Sequence, residues 1–405
     1  MTSSDLTEIV FWKEDAYSTP SNYGKLPAVT ATPTILRKVS EGLAVKKSYG
    51  SSNETRADGQ TSDVVVTDAE GSGSLNIQFS YGTYDDWLAA LVRSTWSSVA
   101  NKTVADATKT LAFTAATRTI AVTGSYNQAP SVGDFILISG FGNADLDRIH
   151  KCDTGTSGTS IILEDDGTDW AAIGDIAGAT GRTIGRGEKL ENGTTPSGFG
   201  CERWYTERST DNVRFLGVVP LSLQLSGAPG QAGLSGSFGV SVRYEQNQTS
   251  RYNSGTANAA TTTRLFNSMA NVVKVRTKFG ATNKQLDPLG LNLNLVNGTE
   301  GVSTMRKLGA QFLKNGSYEF TVGLEAVYDG PTYAAALLAD TEGLLEIGMI
   351  DADRNGYLIR MPRIVLSEVT RPNSGRNTLV QSTVNASAIS GAAKMIEIYR
   401  IPKVA

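Results

Sequence analysis

Histidine, cysteine and long apolar runs are what this 405-residue chain has least of. Its one histidine, His150, would have to serve any Ser-His-Asp or Cys-His catalytic arrangement, and it lies in a Gly/Asp-rich stretch that reads as a turn. Cys152 follows two residues later, a strand spacing that puts both side chains on one face without implying reactivity. With Cys201 as the only other cysteine, there is neither a disulfide framework nor a metal-ligand spacing, and two free thiols are expected. No run approaches the ~20 apolar residues that span a bilayer. Residues Met1 to Glu8 carry neither a basic nor an apolar signal region, so the chain is expected to be made, soluble, in a cytoplasm. A net charge of −3 gives no basic signature for nucleic-acid binding, and no GxxxxGK[ST] phosphate loop occurs.

Two further motifs reduce to structure. Asp351 to Gly356 opens like a calcium loop, but its twelfth position is Pro362 where a bidentate Glu is needed. Asn355-Gly356 between two strand patterns reads instead as a tight hairpin. Along Glu202 to Arg208, alternation places Arg203, Tyr205 and Glu207 on one face and Glu202, Trp204 and Thr206 on the other, which suggests Trp204 in the core with charges outside. The pairs Asp85/Asp86 and Asp165/Asp166 are read as a helix start and a turn. No catalytic residue, metal or cofactor is expected.

What the chain does have is β patterning. Hydrophobic residues at 40% suffice for real cores, and 42 glycines fit many turns. The length suggests two or three domains. Leu75, Ile77 and Phe79 alternate with Asn76, Gln78 and Ser80 as in a half-buried strand, and Trp87, Leu88, Leu91 and Val92 then follow helical spacing. The same order recurs downstream. Leu289–Gly298, a loop, Gly316–Val327 and Tyr333–Asp340 repeat Glu41–Gly50, a loop, Gly73–Tyr81 and Asp85–Val92. Arg214–Leu223 likewise rhymes with Arg360–Ser367. Tandem β-rich units of this kind stack or close on each other and point to an array builder.

Three parts follow. Residues 1–100 with 191–258 form a first unit, whose first ~40 residues, broken by Pro20, Pro27 and Pro33, read as an extended arm available to a neighbouring subunit. Residues 101–190 have no counterpart and read as an inserted small β-domain. They hold eight Lys and Arg against eleven Asp and Glu, which is the whole net charge. Residues 259–405 form the second unit. Each unit's alternating surface requires a sandwich, so the fold class expected is all-β with minor helix: two tandem β-sandwich units, each with one flanking helix, plus the insert.

The stretch Ser51–Asp68, containing Ser52-Asn-Glu-Thr-Arg56, followed by the Gly73-Ser-Leu strand and the Tyr84-Asp-Asp helix start, resembles the tail tube proteins of long-tailed bacteriophages. The resemblance continues at pattern level through everything outside the insert. It implies a non-enzymatic virion component whose units join inner sheets into a barrel, stack as rings and pass viral DNA through the lumen without specific binding. The partners it implies are further copies of the chain, a tape measure protein, a tail terminator and baseplate proteins, with no membrane. Arg56, Asp58, Asp63 and Asp68 of the first loop become interface candidates, and the arm Met1 to Lys38 joins them. A ring needing six such units would close from three duplicated chains. The insert is expected to face outward, and deletion of Val104–Leu190 to leave assembly intact. Another β-rich virion component (terminator, baseplate hub, decoration protein) and a carbohydrate-binding β-sandwich remain open at this point.

Overall fold

A computed structural model describes residues 7–404 except 16, 18–22, 55, 56, 59, 62, 306, 329, 371–379, 392 and 393. The fold is all-β with minor helix. The first unit opens with β1 (Thr7–Lys13), β2 (Thr34–Ile35), β3 (Ser40–Glu41), β4 (Ala44–Ser51), β5 (Val64–Gln78) and helix α1 (Asp85–Leu91). The insert contributes β6 (Thr103–Ala105), β7 (Leu111–Thr114), β8 (Thr119–Val122), β9 (Phe135–Ser139), β10 (Ile149–Lys151) and β11 (Ser160–Ile162). A short helix α2 (Trp170–Ile173), β12 (Ile176–Ala179) and β13 (Thr183–Arg186) follow. Strand β14 (Glu188–Glu191) lies at the insert's end, and the first unit resumes with β15 (Phe199–Tyr205), β16 (Asn212–Gly227), β17 (Ser235–Val242) and β18 (Tyr244–Gln248). The second has β19 (Val272–Phe279), β20 (Thr282–Gln285), β21 (Gly290–Val296), β22 (Glu300–Thr304), β23 (Lys307–Lys314) and β24 (Glu319–Val327). It ends with helix α3 (Thr332–Leu338), β25 (Gly343–Ile350), β26 (Gly356–Thr370), β27 (Gln381–Ala388) and β28 (Glu397–Ile401).

The two halves repeat one pairing scheme. In the first, an outer ladder runs β2–β1–β15–β16–β18. In the second, β20–β19–β25–β26–β28 does the same. Long strands β16 and β26 then cross into a second, inner ladder, each through a register shift, between Pro220 and Ser222 and between Leu366 and Glu368. An extra residue at such a bulge bends a strand, which lets one strand serve two ladders. The inner ladders are β4–β5–β17–β16, with β3 also on β5, and β21–β24–β27–β26. Strand β16 pairs with β21 across residues 222–227 and 291–296, so the two inner ladders form one continuous antiparallel sheet.

Both units also share one core. Leu75, Ile77, Trp87, Phe199, Phe215, Leu223 and Phe238 from the first pack in the same cluster as Leu293, Leu295, Phe320, Leu324, Leu345 and Met361 from the second. Each such side chain contributes about 1.5–3 kcal/mol on burial. Helix α1 buries Trp87, Leu88, Ala90 and Leu91, the face its sequence spacing marked. Asp85 at its start does more than complement the helix dipole. Its buried carboxylate accepts from the Tyr357 hydroxyl and pairs with Arg400, tying the first unit's helix to the second unit. Burial raises the Asp85 carboxyl above its ordinary value, against the pull of Tyr357 and Arg400.

Two expectations need correction. The N-terminal stretch is not a free arm: β1 buries Ile9, Val10, Phe11 and Trp12 and pairs with β15 over its full length. The run Ile-Val-Phe-Trp supplies enough apolar surface to be an own-chain strand, outweighing the prolines behind it. Nor is the insert a part that can be cut away, as the expected tolerance of its deletion required. Its two four-stranded sheets, β10–β9–β13–β6 and β11–β8–β7–β12, enclose a core of their own. However, Phe135, Leu137 and Ile149 also pack against Ile350, Leu358 and Ile401 of the second unit. Residues Glu188–Glu191, at the insert's end in sequence, pair with β28. Deletion of 104–190 would uncover that seam and remove a strand, so it would not leave the rest of the chain intact.

Candidate assembly surfaces

Three surfaces are built by this topology: the solvent side of the inner sheet, the hairpins that extend from it, and the seam under the insert. On the inner sheet, odd residues of β5 such as Leu75 and Ile77 point into the core, leaving Ser72, Ser74, Asn76 and Gln78 outside. The same alternation exposes Ser222, Gln224 and Ser226 of β16, Ser235 and Ser237 of β17, and Asn292 and Asn294 of β21. It continues through Thr321 and Glu325 of β24 and Thr383, Asn385 and Ser387 of β27. No Lys or Arg stands on this side of β5 from Ser72 on, β17, β16 from Ser222 on, β21, β24 or β27. Cations appear only at the rim, where Lys46 lies opposite Glu70. Such a face makes no charge-assisted phosphate contacts.

The first hairpin is longer than the sequence suggests. Strand β5 starts at Val64, inside the expected loop, and leaves Tyr49, Val64, Val65 and Val66 exposed. The second unit's loop also folds as a hairpin, β22 with β23, exposing Val302, Met305, Leu308 and Phe312. Exposed apolar groups in this number on two neighbouring hairpins mark an interaction surface. Of the four interface candidates, Arg56 lies outside the described residues. Asp58 and Asp63 sit at the exposed tip, where Asp58 accepts the Gln60 N–H (3.2 Å) and Asp63 the Val64 N–H (2.7 Å). Asp68 is engaged within the chain: it accepts from the Ser303 hydroxyl (3.2 Å) and the Gly309 N–H (3.3 Å), joining the two hairpins.

The third surface is closed. Lys274 of β19 is buried with its ammonium 2.8 Å from Asp166 of the insert and 3.3 Å from Glu346 of β25. Arg276 reaches Glu346 and Glu164 (3.3 Å each), and Arg360 reaches Glu346 (3.3 Å) and Glu397 (2.6 Å). His150 lies 3.5 Å from Asp166 and its ring stands 5.4 Å from that of Trp170. Burial lowers the His150 pKa below its usual value. Burial alone would raise Asp166, but Lys274 and His150 hold it well below the carboxylate range, and Lys274, Arg276 and Arg360 lower Glu346 against its own burial. The lone histidine is thus part of an interdomain ion network, and Asp166 belongs to it rather than to a mere turn. Alternating charges along β19, Lys274 and Arg276 among Val275 and Thr277, were the sequence signal that could have found it.

Other singled-out residues are structural. Cys152 and Cys201 are buried, and desolvation pushes the Cys152 thiol up to about 12 and Cys201 well above its usual value. Trp204 is buried as expected, but its neighbour Glu202 is buried beside it. That carboxylate accepts from Arg214 (2.6 Å), the Trp204 indole (2.8 Å) and the Tyr252 N–H (2.8 Å), which is why the charge is not outside. At Asp351–Gly356 the carboxylate of Asp351 accepts the N–H groups of Asp353 (2.9 Å) and Asn355 (2.8 Å), closing the β25–β26 hairpin. Arg354 takes φ 66° there.

Comparison with known proteins decides among the readings of such a sheet: the phage tail tube protein family matches residues 5–388. The chain belongs to that family. It is a structural, β-sheet component of the virion tail tube. No curated protein matches it. Among solved structures, a chain from the virion of a native gene transfer agent particle is similar over 29% of this chain and 92% of that one, at 9% identity and a TM-score of 0.23. That likeness is too distant to support any argument.

Proposed function

We propose that three copies of this chain close into a ring of six tube units, with the solvent side of the inner sheet, free of Lys and Arg on its central strands, lining a channel for double-stranded DNA. The observation that carries this reading is the β16–β21 pairing, which sets two tube units side by side in one sheet within one chain. A repeated lateral contact of this kind closes into a ring and leaves no exposed edges. The exposed apolar residues of the hairpins, Val64–Val66 with Met305 and Phe312, then serve contacts between rings, which propagate without closing. The tip residues Asp58 and Asp63, with Arg56, are assigned to those same contacts, while Asp68 holds the two hairpins together. The insert is anchored on the outer ladder of the second unit, opposite the solvent side of the inner sheet, which supports an outward position. The chain acts without catalysis. It assembles in the host cytoplasm with a tape measure protein, a tail terminator and baseplate proteins, and DNA crosses the lumen without being held. Negative-stain imaging of the purified chain tests this. Hollow tubes with threefold ring averages are expected; single rings that never stack would point to a terminator-like role, and rings of six full-length chains would refute the two-units-per-chain count.

A further inference from the structure

The pairing seen inside the chain also specifies how neighbouring chains pair. We propose that β26 of one copy adds to the free edge of β4 of the next, in the register Glu368 opposite Lys46, Val369 opposite Val45 and Thr370 opposite Ala44. The inference rests on the ring reading above and supplies its residue-level contact.

The register follows from superimposing the two halves strand by strand. The bulge in β16 puts Pro220 opposite Val240 and Ser222 opposite Gly239; the bulge in β26 puts Leu366 opposite Ala386 and Glu368 opposite Asn385. Those residues make Ser222 and Glu368 equivalent, as are Val240 and Ala386. One strand further, Val240 faces Gly73 and Ala386 faces Val322. At the next, Ser72 faces Ala44 and Thr321 faces Asn294, so Ala44 corresponds to Asn294. Within the chain, β16 meets β21 as Ser222–Val296, Leu223–Leu295 and Gln224–Asn294. Each pair transfers to the proposed contact by this equivalence.

The transferred pairs are chemically complementary. Val45 and Val369 are both half-buried and pack at the edges of the shared core. Lys46 and Glu368, both exposed, are of opposite charge and fall on the same, outer side of their strands. Among the described residues, Glu368–Thr370 pair only with β27, leaving their other edge open. On β4, the Val45 N–H turns away from β5 and is met by the Glu245 carboxylate at 3.0 Å. A carboxylate on an edge N–H protects a lone strand and can be displaced by a carbonyl.

A disulfide tests the register. The Asn297 N–H donates to the Leu221 carbonyl (2.9 Å), so Leu223–Leu295 is a hydrogen-bonded pair and Ser222–Val296 is not. Lys46 and Glu368 would then form a non-hydrogen-bonded pair with Cα atoms about 4.5 Å apart, within disulfide reach. The chain carrying Lys46→Cys and Glu368→Cys, assembled and oxidised, is expected to run as covalent dimer and trimer without reductant. Ser48→Cys with Glu368→Cys, two residues out of register, is expected to stay monomeric. Normal tubes that yield no crosslink from the first pair, or a crosslink only from the second, overturn the register while the ring reading stands. A ladder ending at six chains supports the register and overturns the three-chain ring; wild-type chain that forms no ring overturns both. Should the cysteine variant fail to assemble, Glu368→Lys is expected to block assembly and Lys46→Glu with Glu368→Lys to restore it, and absence of that rescue counts against the register.

Discussion

Replacing Lys274 by Met tests whether the insert is held by the buried ion network. Lys274 is 2% exposed and its ammonium touches Asp166, Glu346 and the Ile149 carbonyl (3.3 Å). Met fills nearly the same space, so packing is kept and the charge alone is lost. Removing one partner of a buried pair costs about 3–5 kcal/mol, because the remaining charge stays desolvated. Here Asp166 retains His150, and Glu346 retains Arg276 and Arg360, so the lower end, about 3 kcal/mol, is expected. The control is Lys13→Met, which breaks an ion pair with Asp86 (2.7 Å) whose partners are 65% and 42% exposed. Surface pairs of that kind contribute roughly 0–1 kcal/mol. Trp170, in ring contact with His150, reports on the seam, so urea unfolding followed by tryptophan fluorescence reads the difference. A loss for Lys274→Met no larger than for Lys13→Met would refute the reasoning. Neutralising Asp166 as well, with Asp166→Asn, is expected to recover part of the loss, since the carboxylate that lost its ammonium partner then carries no charge.

The same network predicts acid sensitivity. His150 is held neutral in the fold and takes up a proton on unfolding below about pH 6.5, while the depressed Asp166 and Glu346 are protonated more readily when unfolded. In all three the unfolded state binds more protons, so stability falls as pH falls. Burial raises the Glu14 carboxyl to about 7, which adds stability as pH falls through the same window, so the network's share is read against His150→Gln. From pH 7.5 to 5 the urea midpoint of the wild-type chain is expected to fall relative to that of the variant, and parallel profiles would contradict the assignment. For the channel face, Gln224→Lys with Asn294→Lys places cations on its central strands. Tubes of this variant are expected to retain double-stranded DNA at low salt, with a log–log salt slope of about −0.9 per phosphate contacted, while wild-type tubes retain none. Equal retention by both would place that face away from the lumen.

Much of this was readable in the chain. Period-2 alternation located the Leu75–Gln78 end of β5, because that part has one core face and one wet face and the alternation records it directly, but it left Val64–Glu70 in a loop. The repeat of Arg214 and Arg360 was real at the level of register: both stand on strands that pair, at equivalent positions, with β18 and β28. Strand β1 departs from the expected arm because the Ile9–Trp12 run buries enough apolar surface to pair with β15, whatever the prolines downstream do. Of the ion network only the Lys274/Arg276 alternation on β19 was legible, since Asp166, Lys274 and Glu346 lie far apart in sequence and isolated charges on strands ordinarily face water.

The sequence by itself determined the all-β class, the duplicated unit and the resemblance to tail tubes, since these depend on local periodicity and composition. Tertiary structure alone decided that β16 pairs with β21, that the first hairpin leans on the second through Asp68, and that the insert is bolted to the second unit by buried charges. Those are contacts between segments remote in the chain, and what selects them is the fit of surfaces and the cost of leaving a buried charge or a strand edge unpaired, neither of which a local pattern records.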